Sequence, residues 1–253
     1  QYARNMGFGT ETNIDLIGEV QGSLAKPYEW SLVTLPWMSH GYEIQTTSLQ
    51  IAQSYAAFAN NGMMMRPYLV EKIEDKSGNV IMDHEPVEIR RIAKRSTLEK
   101  LMPIFESVVA DSGTGDLAQV EGLRIAGKTG TAKKVVNGRY TNNYRGSFVG
   151  FFPADDPQYV AFILLDEPRT SGYGGYTAAP IFKNIALRIA GLDNNIQRTM
   201  TTEDEQTPLA VRAPLLKGLN VDEAKTLLKE LNIQYDLNGN SGYVTEQSPE
   251  AGT

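Results

Sequence analysis

The spacing of hydrophobic residues predicts two amphipathic helices in the first half of the chain. The first covers residues 46–60, and the second covers residues 96–111. Their apolar faces consist of Leu49, Ala52, Ala56 and Ala59 in the first helix, and of Leu98, Leu101, Met102, Phe105, Val108 and Val109 in the second. A capping box of Ser96 and Glu99 is predicted to begin the second helix. Pro103 predicts a kink in it, because proline beyond the first turn removes a backbone hydrogen bond.

Alternating hydrophobic and polar residues predict strands around the second helix. A hairpin is predicted over residues 68–82 around the turn "KSGN". Three further strands are predicted at residues 123–135, 146–153 and 158–168. The last is apolar enough to be buried on both faces. A helix over residues 177–192, with Gly191 just past its end, follows. This order predicts an α+β fold, in which helices cover an antiparallel sheet.

The composition of the chain changes after Leu192. Residues 193–207 are polar and nearly free of large apolar groups, which predicts a linker. A small α/β unit is predicted over residues 208–253, where Asn220 caps an amphipathic helix. The predicted division is therefore a main domain over residues 1–192, the linker, and the small unit.

Composition and charge narrow the possible functions. The 253 residues carry a net charge of −6, which argues against a nucleic-acid partner. The absence of cysteine excludes disulfides and thiolate metal sites, and His40 and His84 lack the spacing of metal ligands. No apolar run approaches the roughly 18 residues that a membrane-spanning helix requires. Neither a metal ion nor a cofactor is expected.

The segment "GLRIAGKTGTA" at residues 122–132 fits two motifs with different chemistry. Gly122, Gly127, Lys128 and Thr129 satisfy G-x-x-x-x-G-K-[ST], the loop that binds the phosphates of nucleotides. That loop requires backbone N–H groups turned inward and a helix directly after it. Bulky alternating residues separate the two glycines here, and β-forming residues follow. The sequence therefore favours a strand over a phosphate loop.

The same segment contains K-T-G, a motif of serine acyltransferases that react with penicillin. A strand bordering an active site offers its backbone to an extended substrate, and Gly130 allows a close approach. Lys128 supplies a positive charge for a carboxylate or for proton transfer. Thr129 and Thr131 supply hydroxyl donors, and the Thr131 N–H can stabilise an oxyanion. Lys128 is thus the candidate catalytic residue, and Lys128, Thr129, Gly130 and Thr131 are the candidate substrate-binding residues.

Further segments resemble class B penicillin-binding proteins, in the C-terminal half of their transpeptidase domain. The resemblance rests on "MGFGTETNIDLIGE" (6–19), "GYEIQTTSLQIAQSYAAFANNGMMMRPYLV" (41–70), "RIAGKTGTA" (124–132) and "GSFVGFFPADDPQYV" (146–160). Three positions differ from the residues that are usual in the family, namely Asn13, Ile17 and Ser48. None of them belongs to the candidate site. The C-terminal unit resembles a partial PASTA repeat, through "PLLKGLNVDEAKTLLKELNIQY" and "VTEQSPEAGT". The implied fold is that of penicillin-binding transpeptidases and serine β-lactamases.

The family also requires a serine nucleophile in S-x-x-K and a second motif, S-x-N. Ser23 with Lys26 satisfies the first pattern, and Ser77 with Asn79 satisfies the second. Proline follows Lys26 directly, so Ser23 does not begin a helix, and Ser77 lies in a predicted turn. In the family both motifs precede the segment that resembles "NIDLIGE". The nucleophile is therefore expected upstream of Gln1.

The resemblance implies a peptidoglycan D,D-transpeptidase that forms an acyl-enzyme on serine. The implied partners are peptidoglycan stem peptides, β-lactam antibiotics and other cell-wall or division proteins. The implied location is extracytoplasmic, with a membrane helix upstream of the chain as the anchor. Without the nucleophile, the chain alone is expected to be inactive. The alternative is a non-catalytic wall-binding or scaffolding protein with a degenerate transpeptidase domain, and the intact "KTGTA" favours the enzyme.

Overall fold

The computed structural model describes residues 1–136, 139–201, 213–231, 233–239 and 241–251. The helices in these ranges are α1 (Tyr2–Asn5), α2 (Thr34–Met38), α3 (Ser48–Ala59), α4 (Arg95–Ser107), α5 (Gly174–Thr177), α6 (Ala179–Leu192), α7 (Asn194–Thr201) and α8 (Val221–Glu230). The strands are β1 (Ser23–Leu24), β2 (Ile44–Gln45), β3 (Met63–Met65), β4 (Lys72–Glu74), β5 (Val80–Asp83), β6 (Glu88–Arg91), β7 (Ala126–Val136), β8 (Arg139–Phe152) and β9 (Tyr159–Asp166). None of the helices in these ranges is long and apolar enough to cross a membrane.

An antiparallel sheet in the order β7–β8–β9 forms the centre of the main domain. β7 and β8 form a long hairpin, whose register places Lys128 opposite Val149 and Gly130 opposite Ser147. β8 begins at Arg139, earlier than the predicted strand at residues 146–153, because its first half pairs with the end of β7.

Helices cover both faces of this sheet, since alternate residues of a strand point to opposite sides. The cluster on one face includes Phe148 and Phe152 of β8 with Phe182, Ala186 and Ala190 of α6. The cluster on the other face includes Ala126 of β7 and Phe151 of β8 with Tyr55 of α3 and Phe105 of α4. The predicted α+β fold with a helix-covered antiparallel sheet is confirmed.

α3 connects the loop-rich N-terminal segment to the rest of the domain. Thr47 caps this helix in a reciprocal box with Gln50, close to the predicted start. The buried amide of Gln50 also donates to the carbonyl oxygens of Thr10 (2.7 Å) and Gln21 (2.9 Å). A single polar side chain thus provides hydrogen bonds to the backbone of two segments that are distant in the sequence. The predicted hairpin at residues 68–82 is present as β4 and β5.

α4 differs from its prediction at both ends. It begins at Arg95, so Ser96 lies inside the first turn, where it cannot act as the cap. The carboxylate of Glu99 accepts from Arg95 instead, at 3.2 Å, and the predicted capping box is wrong. The helix continues through Pro103 and ends at Ser107, short of the predicted residue 111.

The prediction that β9 is buried on both faces is wrong, since its first half is only half-buried and its second half is partly exposed. Val160 packs on one cluster and Ala161 on the other, whereas Leu164, further along, is 45% exposed. In the part of the chain that the structure describes, β9 pairs only with β8. Its continuous apolar run therefore does not correspond to complete burial.

The segment after Leu192 is helical where a linker was predicted. Gly191 lies inside α6, so the prediction that it follows the helix is wrong. Asp193 accepts from the backbone N–H of Asn195 and thereby starts α7. Ile196 and Met200 of α7 are buried in the core cluster with Phe182. Residues 194–201 thus belong to the main domain, while the remainder of the predicted linker, residues 202–207, lies outside the described residues.

The C-terminal unit contains α8, which begins as predicted at Asn220. The Asn220 side chain accepts from the N–H of Asp222, and the Glu223 carboxylate accepts from the N–H of Asn220. Val221, Ala224 and Leu228 form the buried face of the helix, as the periodicity predicts.

Candidate active site

The four candidate residues lie consecutively in the first half of β7. Lys128 is exposed on the strand, while Thr129 and Gly130 are half-buried. Among the described strands, β7 pairs only with β8, so its other edge remains open. Side chains from this edge, together with the unpaired backbone groups, are available to an extended ligand.

Polar contacts at this open edge connect the candidate residues. The ammonium of Lys128 donates to the carbonyl oxygen of Thr129 (2.8 Å) and lies 3.4 Å from its hydroxyl. The hydroxyl of Thr129 lies 2.9 Å from that of Thr114, in the loop after α4. The N–H of Gly174, at the start of α5, donates to the Thr131 hydroxyl at 3.4 Å. The structure thus brings the candidate residues together with two neighbouring segments.

Glycine is required where α5 meets β7 and β8. A Cβ on Gly174 would collide with the backbone oxygens of Gly130 and Ser147, and both are backbone atoms that cannot yield. A Cβ on Gly130 would collide with the Ser147 hydroxyl. The lack of side chains therefore allows α5 to lie directly on the strands that carry the candidate residues.

A cluster of charged side chains joins the three strands beyond the candidate residues. Lys134 of β7 donates to Asp166 (3.1 Å) and Glu167 (2.7 Å), and Arg145 of β8 lies 3.3 Å from Asp166. The bonds from Lys134 lower the pKa of both carboxyl groups, and the bond to Glu167 is the main cause that raises the pKa of Lys134. Three residues of β8, 141–143, stand opposite the single Lys134 and form a bulge.

The backbone conformation of this segment excludes a phosphate loop. Gly122 lies in a turn, Ile125 and Gly127 are buried, and β7 runs from Ala126 through Thr129 without a helix after it. A strand cannot turn several consecutive N–H groups towards one phosphate. The strand begins at Ala126, later than the predicted residue 123.

The two local serine patterns lie in unsuitable structures. Ser23 is in β1, paired with Gln45, and a short 3-10 turn begins at Pro27. An S-x-x-K pair needs a helix to place serine and lysine on one face. Ser77 is exposed in the β4–β5 turn, where its N–H donates to Asp75 (2.7 Å). Neither serine lies on the elements that carry the candidate residues.

The contact of Thr114 with the candidate residues and the approach of α5 to the strands were not predicted from the sequence. The available signal was the run of small residues "SGTG" at 112–115 and the "GYGG" at 172–175. Such runs permit close contact between backbones, but they do not indicate which strand is approached.

Models of two known protein families match parts of this chain. The model of the penicillin-binding protein transpeptidase domain matches residues 1–187. The chain belongs to this family. The model of the PASTA domain matches residues 211–253, in agreement with the resemblance of the C-terminal unit.

Characterised bacterial proteins are similar to this member of the transpeptidase family. Stage V sporulation protein D of Bacillus subtilis is 34% identical over 262 aligned residues, which cover 100% of this chain and 40% of the relative. The peptidoglycan D,D-transpeptidase FtsI of Escherichia coli is 33% identical over 206 residues, covering 81% of this chain and 33% of the relative. The chain therefore spans less than half the length of these relatives.

Solved structures of the family have the same fold. Penicillin-binding protein 3 of Mycobacterium tuberculosis, crystallised with ampicillin, gives a TM-score of 0.71 at 31% identity, covering 84% of this chain and 48% of that one. The transpeptidase domain of penicillin-binding protein 3 from Burkholderia pseudomallei gives 0.64 at 27% identity, covering 81% and 58%.

Proposed function

We propose that the full-length protein is a serine D,D-transpeptidase that cross-links peptidoglycan stem peptides and is acylated by β-lactams. The observation that carries this proposal is the open edge of β7 with Lys128, Thr129 and Thr131 along it, in a chain of the transpeptidase family. The nucleophilic serine is proposed to lie before Gln1, because Ser23 and Ser77 occupy a strand and a turn.

In the proposed reaction, the serine oxygen attacks the carbonyl carbon of the penultimate D-Ala and its proton passes to a nearby base. The peptide bond breaks, the terminal D-Ala leaves as a protonated amine, and a serine ester remains. An amine of a second stem peptide then attacks the ester, forms the cross-link and releases the serine. With a β-lactam, the attack opens the ring and the ester persists.

The residues of β7 are proposed to bind the acyl donor during these steps. The Lys128 ammonium and the Thr129 hydroxyl attract the carboxylate of the terminal D-Ala. The backbone groups of residues two apart in a strand point to the same side, so Thr131 presents its N–H beside the Thr129 carbonyl that Lys128 contacts. An N–H in that position can stabilise the oxyanion of the tetrahedral intermediate.

A peptide ending in D-Ala-D-Ala tests this activity in the full-length protein. The protein is expected to release D-Ala from an N-acylated stem-peptide analogue, measured by a coupled D-amino-acid oxidase assay, and penicillin is expected to abolish the release. A folded full-length protein that neither releases D-Ala nor reacts with penicillin would support the scaffolding alternative instead.

The proposed surroundings of the enzyme follow from the same family. The catalytic domain is proposed to act outside the cytoplasm, anchored by a membrane helix upstream of the chain, with cell-wall or division proteins as partners. The C-terminal unit over residues 208–253 is proposed to be separate from catalysis, because the PASTA model matches residues 211–253 whereas the transpeptidase model ends at residue 187.

Removing residues 208–253 from the full-length protein is expected to leave the rate of acylation by fluorescent penicillin within about twofold of the original. Removing everything from residue 193 onward is the matched control. That truncation deletes α7, whose buried Ile196 and Met200 complete the core cluster, and it is expected to destabilise the transpeptidase domain. Loss of folding already in the shorter truncation would show that the C-terminal unit is integral to the domain.

A further inference from the structure

Three aromatic rings meet at the far end of the β7–β8 hairpin, beyond the candidate residues. The centre of the Tyr140 ring, near the start of β8, lies 6.0 Å from that of Trp37 in α2 and 5.7 Å from that of Tyr42. The ring centres of Trp37 and Tyr42 are 5.6 Å apart. This aromatic cluster therefore attaches a helix of the N-terminal segment to the strand that pairs with β7.

Two of the three rings in the aromatic cluster are exposed. Trp37 is 41% exposed and Tyr140 is 45% exposed, whereas Tyr42 is half-buried. The Tyr42 ring stands edge-on to the other two, at interplanar angles of 67° to Trp37 and 82° to Tyr140. It therefore supports the exposed rings and restricts their movement. Tyrosine and tryptophan rings held in this way offer a rigid contact surface at a low cost in conformational entropy.

The polar groups of the two exposed rings are available to a ligand. Within the described residues, neither the indole N–H of Trp37 nor the hydroxyl of Tyr140 has a hydrogen-bond partner. By contrast, Trp30 donates its indole N–H to the carbonyl of Ala25 at 3.1 Å. A sugar matches this combination of surfaces. Its C–H groups are attracted to the partly negative face of an aromatic ring, and its hydroxyl and acetamido groups form hydrogen bonds with the polar groups of the rings.

The aromatic cluster lies in the direction that the proposed acyl donor takes along β7. The terminal D-Ala is proposed to lie at Lys128, and the carbonyl group before it at Thr131, so the rest of the peptide extends towards Val135. Val135 pairs with Tyr140 and lies about 13 Å along the strand from Thr131, at roughly 3.3 Å per residue. The part of a stem pentapeptide that precedes its penultimate D-Ala spans about 10 Å when extended. The sugar that carries the peptide is therefore expected at the level of Tyr140.

We propose that the exposed rings of Trp37 and Tyr140 bind the glycan strand that carries the acyl donor. This inference rests on the proposed transpeptidase function and deepens it, because it adds the sugar to the part of peptidoglycan that the site recognises. The rings bind the donor far from the reacting carbonyl, and binding energy of this kind helps to position a substrate for reaction. A stem peptide attached to its sugar is therefore a better donor than the free peptide. Penicillin carries no sugar, so its reaction does not depend on the rings.

Release of D-Ala from two donors tests this role in the full-length protein. One donor is an N-acetylated stem pentapeptide, and the other is the same peptide on its N-acetylglucosamine–N-acetylmuramic acid disaccharide. The disaccharide donor is expected to have a kcat/KM about three- to tenfold higher. Trp37→Leu keeps an apolar side chain but removes the ring, so it is expected to abolish this advantage. Its kcat/KM with the free peptide and its rate of acylation by benzylpenicillin are expected to stay within about twofold of the wild type. Trp37→Phe restores a ring and is expected to recover part of the advantage.

Leu35→Ala is the matched control for these substitutions. Leu35 is exposed on the same helix, two positions before Trp37, so the two side chains point in different directions. This variant is expected to keep the advantage of the disaccharide donor, whereas Tyr140→Leu, which removes the second ring, is expected to lose it.

Three results would overturn the proposal. These are an equal loss with both donors in the two leucine variants, an advantage that survives in both variants, and no advantage in the wild-type protein. In each case D-Ala release by the wild type would leave the proposed transpeptidase activity intact. A folded wild-type protein that uses neither donor and does not react with penicillin would refute the proposed function itself.

Discussion

Lys128→Ala in the full-length protein is expected to slow acylation by penicillin about a hundredfold or more, without changing the melting temperature. The ammonium lies at the open edge of β7, and its hydrogen bonds within the described residues go to Thr129 alone. Removing it is therefore not expected to weaken the packing of the core. In the proposed site it is the fixed positive charge nearest to the substrate carboxylate and the reacting groups. Removing a preorganised electrostatic group of this kind typically lowers the rate by about 10² to 10³.

Lys133→Ala is the matched control for this substitution. Lys133 is an exposed lysine of the same strand, five positions after Lys128 and beyond the last candidate residue, Thr131. Its ammonium lies 5.8 Å from the centre of the Tyr144 ring. We expect Lys133→Ala to acylate at the normal rate, measured by stopped-flow with a fluorescent penicillin. Normal acylation of Lys128→Ala would show that the role assigned to this lysine is wrong.

The 253-residue chain by itself is expected to form no covalent adduct with a labelled penicillin. A strand that orients a substrate cannot attack it without a serine activated by a neighbouring base. Ser23 has a strand conformation and its neighbour Lys26 precedes a 3-10 turn, so the two side chains do not share a helical face. Intact-mass measurement followed by peptide mapping decides the outcome, with the full-length protein as the positive control.

Complementation tests where the proposed nucleophile lies. A separately produced fragment covering the sequence before Gln1 is expected to become labelled when it is refolded together with the chain, and the adduct should map to that fragment. Ser23→Ala in the chain is expected to leave this labelling unchanged. An adduct on Ser23 of the isolated chain would instead identify a short acyltransferase that carries its own nucleophile.

Much of the fold was predictable at positions where the local capping residues and the pattern of buried residues favour the same element. The start of α3 near Thr47 and the cap of α8 at Asn220 follow from side chains that bond to their own helix. The β7 strand followed from bulky alternating residues, and these also excluded the phosphate loop. The placement of Lys128 to Thr131 on one strand was inherent in that prediction.

The errors occurred where distant parts of the chain decide the structure. The polarity of residues 193–201 indicated a linker, but Ile196 and Met200 are enough to attach a short helix to the core. Likewise, the contact of Thr114 with Thr129 depends on the path of the loop after α4. Periodicity in the sequence carries no information about such encounters, because they depend on how separate elements pack.

The bulge opposite Lys134 has a consequence for how this hairpin can vary among related proteins. A shift of one residue in a strand pairing moves every side chain to the opposite face. Between Gly127 and Lys133 the pairing is continuous, so a one-residue insertion there would move the side chains on one side of the insertion to the opposite face of the sheet. After Lys134 the bulge changes the register of the pairing between β7 and β8. The ion pairs of Lys134 with Asp166 and Glu167 lie at this change of register. Variation in length is therefore compatible with an intact candidate strand on the side of Lys134 far from Lys128, and incompatible with it on the side near Lys128.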